Sequence, residues 1–395
     1  MPDSHPTAPR WKLATLFFLS GAALGMWNVN FGNVLRTHGL EHIIGYAYAC
    51  SGIAAFISPL AVGALADQAV SPLRLVRWLA MMTAGALVLM FTAIERGWGV
   101  GPVLALALVQ AICAAPLFGL CTSIVMAELR DAGREFGPLR SLATFGWMAA
   151  GWIVSFVLNA DASTVSGYAG AVAWIVTALF TYALPALPPT ARTGPRDAFG
   201  FSALALFRDP NHRVVFLAAA LYNIPMAAFY PFTPIHLTHL GVDHATAVMG
   251  IGQISELISM FLLAGLIARL RLKRVFLVGV GFGVLRFALC ALDTKAWLIA
   301  GIALHGFAFT LFFITAQIYL EQRVDPAMRA RAQALFSVML TGVGSFIGFL
   351  SNGWWRNACA TPLGTDWPRF WFGVSGAAAL VGVWFAVSYR GRKSE

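Results

Sequence analysis

Apolar residues in this chain come in runs of roughly twenty, unbroken by the polar alternation of a half-buried strand and separated by short joints that are polar, basic or rich in Gly and Pro. A helical run of about 20 residues spans the roughly 30 Å hydrocarbon core of a bilayer at 1.5 Å per residue. The strands of an outer-membrane barrel would be shorter and would alternate. The pattern predicts spans at about residues 13–35, 44–66, 73–94, 101–126, 138–160 and 164–186. After a polar, Pro-containing stretch from Pro188 to His212 it predicts six more, at about 214–235, 245–268, 274–292, 296–320, 331–352 and 368–389. The expected architecture is an all-α integral membrane protein of twelve transmembrane helices in two six-helix halves, residues 1–187 and 213–395, joined by a cytoplasmic linker at 188–212.

Composition agrees. Hydrophobic residues make up 59% and charged residues only 11%, against about 25% charged in a soluble domain. The net charge of +10 does not point to nucleic acid, because the basic residues are scattered over short joints with no aromatic-interleaved stripe. They report orientation instead. With both termini in the cytoplasm, inside joints hold Arg10, Lys12, Arg74, Arg77, Arg130, Arg134, Lys273, Arg274, Arg390 and others, and outside joints hold Arg36, Arg96, Lys295, Arg356 and Arg369. That is a bias of roughly four to one in the sense of the positive-inside rule, and it favours an even number of spans. The expected location is the inner (cytoplasmic) membrane, multi-pass. The N-terminus runs into its first apolar stretch without a small-residue cleavage site, so it reads as a retained span. Cys50, Cys113, Cys121 and Cys290 fall in spans, Cys359 in a joint, and no CxxC pair occurs, so neither a disulfide framework nor a zinc site is expected.

The halves show a weak internal repeat. Ser51–Asp67, SGIAAFISPLAVGALAD, can be laid on Gly252–Ala268, GQISELISMFLLAGLIA, matching Ile53 with Ile254, Ile57 with Ile258, Ser58 with Ser259 and Leu65 with Leu266. Both segments are the second span of their half and lead into a basic joint, as expected of two halves related by an axis along the membrane normal.

Polar residues inside the spans are few enough to weigh singly. Glu256 stands near the middle of the eighth span, and Gln253, three residues earlier, shares its face. A carboxylate at that depth costs a few kcal/mol on insertion scales and marks a substrate or proton site by default; the plainer reading is an interhelical lock. Arg140, Thr144 and Trp147 follow one another at steps of four and three on one face of the fifth span. Forked hydrogen bonds and stacking there suit an anionic or hydroxyl-rich planar ligand, the alternative being an arginine that snorkels. His305 and Phe309, a turn apart in the tenth span, can line a cavity, with His305 a proton relay or a packing residue. Asp67 and Arg74 bracket a cytoplasmic joint and read as gating structure, and Arg286 is expected to pair with Asp293, seven residues on. Asn28, Asn30 and Asn223 are cavity candidates because an amide facing lipid is costly. No phosphate loop, dinucleotide fingerprint, metal-ligand spacing or nucleophile elbow occurs, so the chain reads as no enzyme, with no cofactor and no metal.

Five segments resemble the major facilitator superfamily and, more narrowly, its nucleoside:proton symporters: Ser51–Asp67, GPLRSLATFGW at Gly137–Trp147, GQISE at Gly252–Glu256, LRFAL at Leu285–Leu289, and RARAQALF at Arg329–Phe336. The resemblance implies the major facilitator fold and a nucleoside site to which Arg140, Thr144, Trp147, Gln253, Glu256 and Phe309 correspond. It also marks departures. Those symporters carry Asp directly after the tenth-span aromatic, where this chain has Thr310, and Gln and Asn in the seventh span, where it has Ala227 and Tyr230. Loss of placed hydrogen bonds weakens recognition.

The resulting expectation is a proton-coupled symporter working by alternating access about a cavity formed mainly by spans 1, 4, 5, 7, 8, 10 and 11. Substrate contacts come from Arg140, Thr144, Trp147, Gln253, Glu256 and Phe309, and proton coupling from Glu256 and His305. The partners are a small-molecule substrate, protons and the lipid bilayer, not nucleic acid, with the protein a monomer. A nucleoside is the first choice of substrate; an aromatic or organic acid such as phenylpropionate, or a sugar, is the alternative, and a non-transporting membrane sensor is the rival from another class.

Overall fold

Three helix starts among the described residues are written by Ser or Asp followed closely by Pro. The computed structural model describes residues 8–67, 70–129, 131–186, 201–362 and 364–391, with backbone alone at 58–67, 132–133 and 201. Its helices are α1 (Arg10–Gly25), α2 (Phe31–Thr37), α3 (Ile44–Asp67), α4 (Pro72–Glu95), α5 (Val100–Glu128), α6 (Ala132–Trp152), α7 (Val165–Ala183), α8 (Pro210–His239), α9 (Ala245–Arg269), α10 (Leu272–Cys290), α11 (Lys295–Arg323), α12 (Arg329–Ala358) and α13 (Trp367–Ser388). Ser71, Asp209 and Asp366 cap α4, α8 and α13, their side chains accepting from Arg74 N, from Asn211 N and His212 N, and from Arg369 N, each with Pro in the first turn. These caps satisfy N–H groups that a helix start leaves without partners.

Eight of the helices, α4, α5, α7, α8, α9, α11, α12 and α13, are long and apolar enough to cross a membrane among the described residues. Their outward faces are apolar too: Phe261 is 86% exposed and Val387 78%, side chains that a bilayer solvates and water does not. The chain is therefore an all-helical membrane protein, with one two-residue β ladder, Ala360–Thr361 against Gly364–Thr365, among the described residues. Of the other four expected spans, the second falls on α3, Ile44–Asp67, whose side chains at 58–67 lie outside the described residues; the remaining three fall short for local reasons. The first is cut at 26–30, where the chain leaves the helix and Asn30 donates from Nδ2 to Ala160 O at 2.8 Å. In α6 stand Arg134, Glu135 and Arg140, and in α10 Lys273, Arg274 and Arg286. The expected linker at 188–212 lies outside the described residues as far as 200, and its end is helical: a 3-10 turn at Phe201–Arg208 runs to the start of α8.

Contacts divide the chain into two units. One holds Met1–Glu41 and Ile53–Arg196, the other His42–Gly52 and Asp197–Glu395. In the first, α1 and α6 cross on glycines: a Cβ on Gly21 would meet the Ala143 backbone, one on Gly25 the Trp147 backbone, and one on Gly146 the Phe18 backbone. Small residues let the two backbones touch. In the second unit the aromatic core is built from Tyr222, Phe276, Phe312, Phe385 and Tyr389.

Three helices loosen by one residue per turn. A π turn follows α6 at Ile153–Val157, and others interrupt α11 at Thr310–Ile314 and α12 at Val338–Gly344. Such π turns cluster at functional positions in helices. Asn223, expected to face a cavity, instead fastens one of them: its Nδ2 donates to Leu340 O and Ser345 Oγ, both at 2.9 Å. Asn30, by its bond to Ala160 O, is likewise fully buried and structural.

Candidate functional site

The first unit presents the Arg140 face. The glycine crossing with α1 fixes the backbone of α6 at Ala143 and Trp147, so the side chains between and beside them have a settled origin. Arg140 is exposed, Thr144 and Trp147 half-buried, on one stripe as their spacing predicts. The Arg140 guanidinium carbon stands 4.4 Å from the centre of the Phe118 ring on α5. Stacking of this kind holds the plane of the guanidinium against the ring. The side chain of Asp67 lies outside the described residues; Arg74 is exposed in the first turn of α4.

The second unit holds the denser polar cluster, and its scaffold is a crossing of α9 with α11. A Cβ on Gly306 would fall on the backbone of Ser255 and Glu256, and one on Gly252 would meet His305 Cβ at 3.1 Å. The helix is interrupted at Leu304 and restarts at His305, so the Gly306 N–H has no acceptor in its own preceding turn. Ser255 Oγ accepts it at 2.9 Å, and Ser259 Oγ donates to Gly306 O at 3.1 Å. Glu256, between the two serines, is thereby registered against His305. Gly252, Ser255 and Ser259 enter the sequence reading only as parts of a repeat and a motif, and Gly306 not at all, because small residues in apolar spans carry no signal of helix crossing on their own.

A hydrogen-bonded chain of side chains runs across this scaffold. Arg286 on α10, fully buried, donates from Nη1 to His305 Nδ1 at 2.6 Å. His305 Nε2 lies 3.3 Å from Tyr230 Oη, and Gln253 Nε2 donates to the same hydroxyl at 3.0 Å. Tyr230 sits in the first turn of the segment of α8 that restarts at Phe229, after the break at Ala227–Ala228 that follows Pro225. The Arg286 guanidinium packs 4.0 Å from the ring centre of Phe229 and 4.6 Å from that of Phe287, and the Phe229 ring stacks on His305 at 4.3 Å. Glu256 and Arg286 both act electrostatically on Tyr230. Phe309 stacks on His305 at 6.2 Å, and like Glu256 and Tyr230 is half-buried, whereas Gln253 and His305 are buried.

The expected Arg286–Asp293 pair does not form. Asp293 follows the end of α10 with φ 54°, and its Oδ1 meets His236 Nε2 on α8 at 2.7 Å. The other His236 nitrogen accepts from Trp371 Nε1 at 2.9 Å. Thr310, standing where the resemblance leads one to expect Asp, is fully buried at the head of the α11 π turn, and its Oγ1 has no hydrogen-bond partner among the described residues. No group of three or more His, Cys, Asp or Glu placed to hold a metal ion occurs among the described residues.

Solved structures share the fold of this helical membrane chain. The peptide transporter PepTSo matches with a TM-score of 0.73 at 12% identity over 97% of this chain and 98% of that one. The crystal structure of the nucleoside transporter NupG matches with a TM-score of 0.87 at 25% identity over 97% and 99%. The family model for nucleoside H+ symporters covers residues 8–394. The chain belongs to the nucleoside H+ symporter family. Among its relatives, the putative nucleoside transporter YegT of Escherichia coli (strain K12) is 30% identical over 97% of this chain and 94% of that protein. Xanthosine permease of the same organism is 25% identical over 96% and 95%.

Proposed function

We propose that this protein carries a nucleoside across the cytoplasmic membrane together with a proton, by alternating access of two six-helix halves with twelve spans and both termini in the cytoplasm. The observation that carries the reading is the cluster at the α9–α11 crossing: a half-buried carboxylate, Glu256, one turn from the amide of Gln253 and next to the Tyr230–His305 chain. It is supported by family membership and by relatives described as nucleoside permeases. Glu256 carries the proton: a carboxylate that changes charge inside a membrane protein binds a polar ligand differently in its two states, and that difference is what couples the two fluxes. Arg140, Thr144, Trp147, Gln253, Glu256 and Phe309 supply the substrate's hydrogen bonds and stacking. Arg74, with Asp67, belongs to the cytoplasmic gate. The protein works as a monomer.

The competing substrate is an aromatic acid, whose carboxylate would pair with Arg140. Proteoliposomes with an inward proton gradient, loaded with labelled uridine in competition with adenosine, phenylpropionate and a sugar, decide between them. Adenosine should compete and phenylpropionate should not; competition by phenylpropionate alone would replace the nucleoside reading with the organic-acid one.

A further inference from the structure

Arg286 is an unusual group to bury. It is 0% exposed, and its charge rests on the faces of Phe229 and Phe287. A guanidinium in that position costs more than an apolar side chain of the same size, and it cannot shed the proton that makes it costly. Its Nη1 donates to His305 Nδ1 at 2.6 Å, while Nε and Nη2 have no hydrogen-bond partner among the described residues. Arginine has donors and no acceptor, so Nδ1 must present its lone pair. Neutral His305 is thus confined to the tautomer with its hydrogen on Nε2, the nitrogen that faces Tyr230 Oη. A second proton, on Nδ1, would point at the Nη1 N–H. Neither partner has room to withdraw: the imidazole is stacked on Phe229 at 4.3 Å, and the guanidinium lies against two rings. The other titratable groups around the pair are Tyr222 and Tyr230 on α8, Cys290 on α10, and Glu256 on α9, whose backbone a Cβ on Gly306 would strike. Glu256 is the one carboxylic acid among them.

We propose that Arg286 is a positioning residue for the proton step: its obligate donor holds His305 neutral and in one tautomer, so that Glu256 alone loads the proton, one per nucleoside. A histidine packed near a carboxylate otherwise offers a second place for a proton, and two such places leave the number of protons per substrate unfixed. The buried arginine removes the second place. The inference rests on the reading of Glu256 as proton carrier and adds to it a stoichiometry and the residue that fixes it.

The test is nitrogen NMR of the full-length protein with labelled histidine, taken from about pH 5 to pH 8, the interval in which an ordinary histidine changes charge. Loss of signals in His305→Gln identifies those of His305. In the wild type His305 should show a bare Nδ1 and a protonated Nε2 at every pH. Arg286→Lys keeps a cation with donors and no acceptor and should hold the same tautomer. Arg286→Gln offers an acceptor as well as a donor and should release His305, seen as loss of the bare Nδ1 signal. A merely structural arginine predicts the same His305 state in the Lys variant, the Gln variant and the wild type, and that result overturns the proposal. If the Gln variant does not fold, the wild-type titration still decides, because a doubly protonated His305 or a protonated Nδ1 in that interval overturns it. In parallel, proton and uridine influx are counted together in proteoliposomes. The wild type should move one proton with each uridine, and a ratio of two overturns the inference. Wild-type protein that moves no proton with uridine overturns the transport reading and this inference with it, whereas wild-type symport with a titrating His305 overturns this inference alone.

Discussion

A methyl group added at Gly306 has nowhere to go. Its Cβ would fall on Glu256 N, Glu256 Cα and Ser255 C, all backbone, so no side-chain rotation can make room and α9 and α11 must separate. Overpacking of this kind costs about 1–3 kcal/mol, and moving the strands of contact apart also strains the Gly306 N–H to Ser255 Oγ bond, worth about 1 kcal/mol. Against this stands a gain of up to about 1 kcal/mol from replacing glycine by alanine in a helix. The net expectation for Gly306→Ala is a loss of about 1–3 kcal/mol. Gly265→Ala is the matched control: it lies on α9, a Cβ there meets nothing within 4 Å, and only the helix-forming gain applies. The two variants should therefore differ by about 2–4 kcal/mol in reversible unfolding. Uridine counterflow should fall in Gly306→Ala, because the displaced backbone carries Glu256, and stay at the wild-type level in Gly265→Ala. Equal stabilities for the two variants would refute the claim that this crossing registers Glu256 against His305.

Further outcomes follow from other contacts. Asn223→Ala removes two part-buried bonds, to Leu340 O and Ser345 Oγ, and should lower stability by about 1–2 kcal/mol, seen as a lower melting temperature; an unchanged melt would mean the amide does not fasten α8 to the α12 π turn. Arg140→Lys replaces a planar group stacked on Phe118 by a point charge and should lose most substrate affinity without loss of folded protein; normal transport by the Lys variant would reduce Arg140 to a snorkelling residue. Reporter fusions after Leu187 and after Arg390 should both read cytoplasm and one near Thr238 periplasm, and a periplasmic C-terminus would contradict the twelve-span proposal.

What could be read from the sequence was whatever stands out against an apolar background. Glu256, Gln253 and His305 are conspicuous in their spans, and the structure brings them to one crossing. The face of Arg140, Thr144 and Trp147 follows from helical spacing alone. The crossing itself was hidden, because Gly252, Gly306, Ser255 and Ser259 are the commonest kinds of residue in such spans and acquire meaning only when a second helix touches them. Arg286 was assigned to Asp293 because a partner seven residues on lies on the same face, about 10 Å along the axis. That geometry holds only while the helix continues; α10 ends at Cys290, the chain turns at Asp293, and the carboxylate reaches His236 instead. The break at 26–30 was hidden for a related reason, since Asn30 finds its acceptor, Ala160 O, 130 residues away.

The central claim is that Glu256 couples nucleoside movement to the proton, and Glu256→Gln in proteoliposomes tests it most directly. The amide keeps the shape and much of the hydrogen bonding of the protonated acid but cannot change charge. Uridine counterflow without a gradient should persist, and uphill accumulation driven by an imposed pH gradient should vanish, because a site with one charge state has no differential affinity to link to the proton. Accumulation by the Gln variant at the wild-type level would contradict the account, and so would loss of counterflow and protein yield together, the signature of a helix lock.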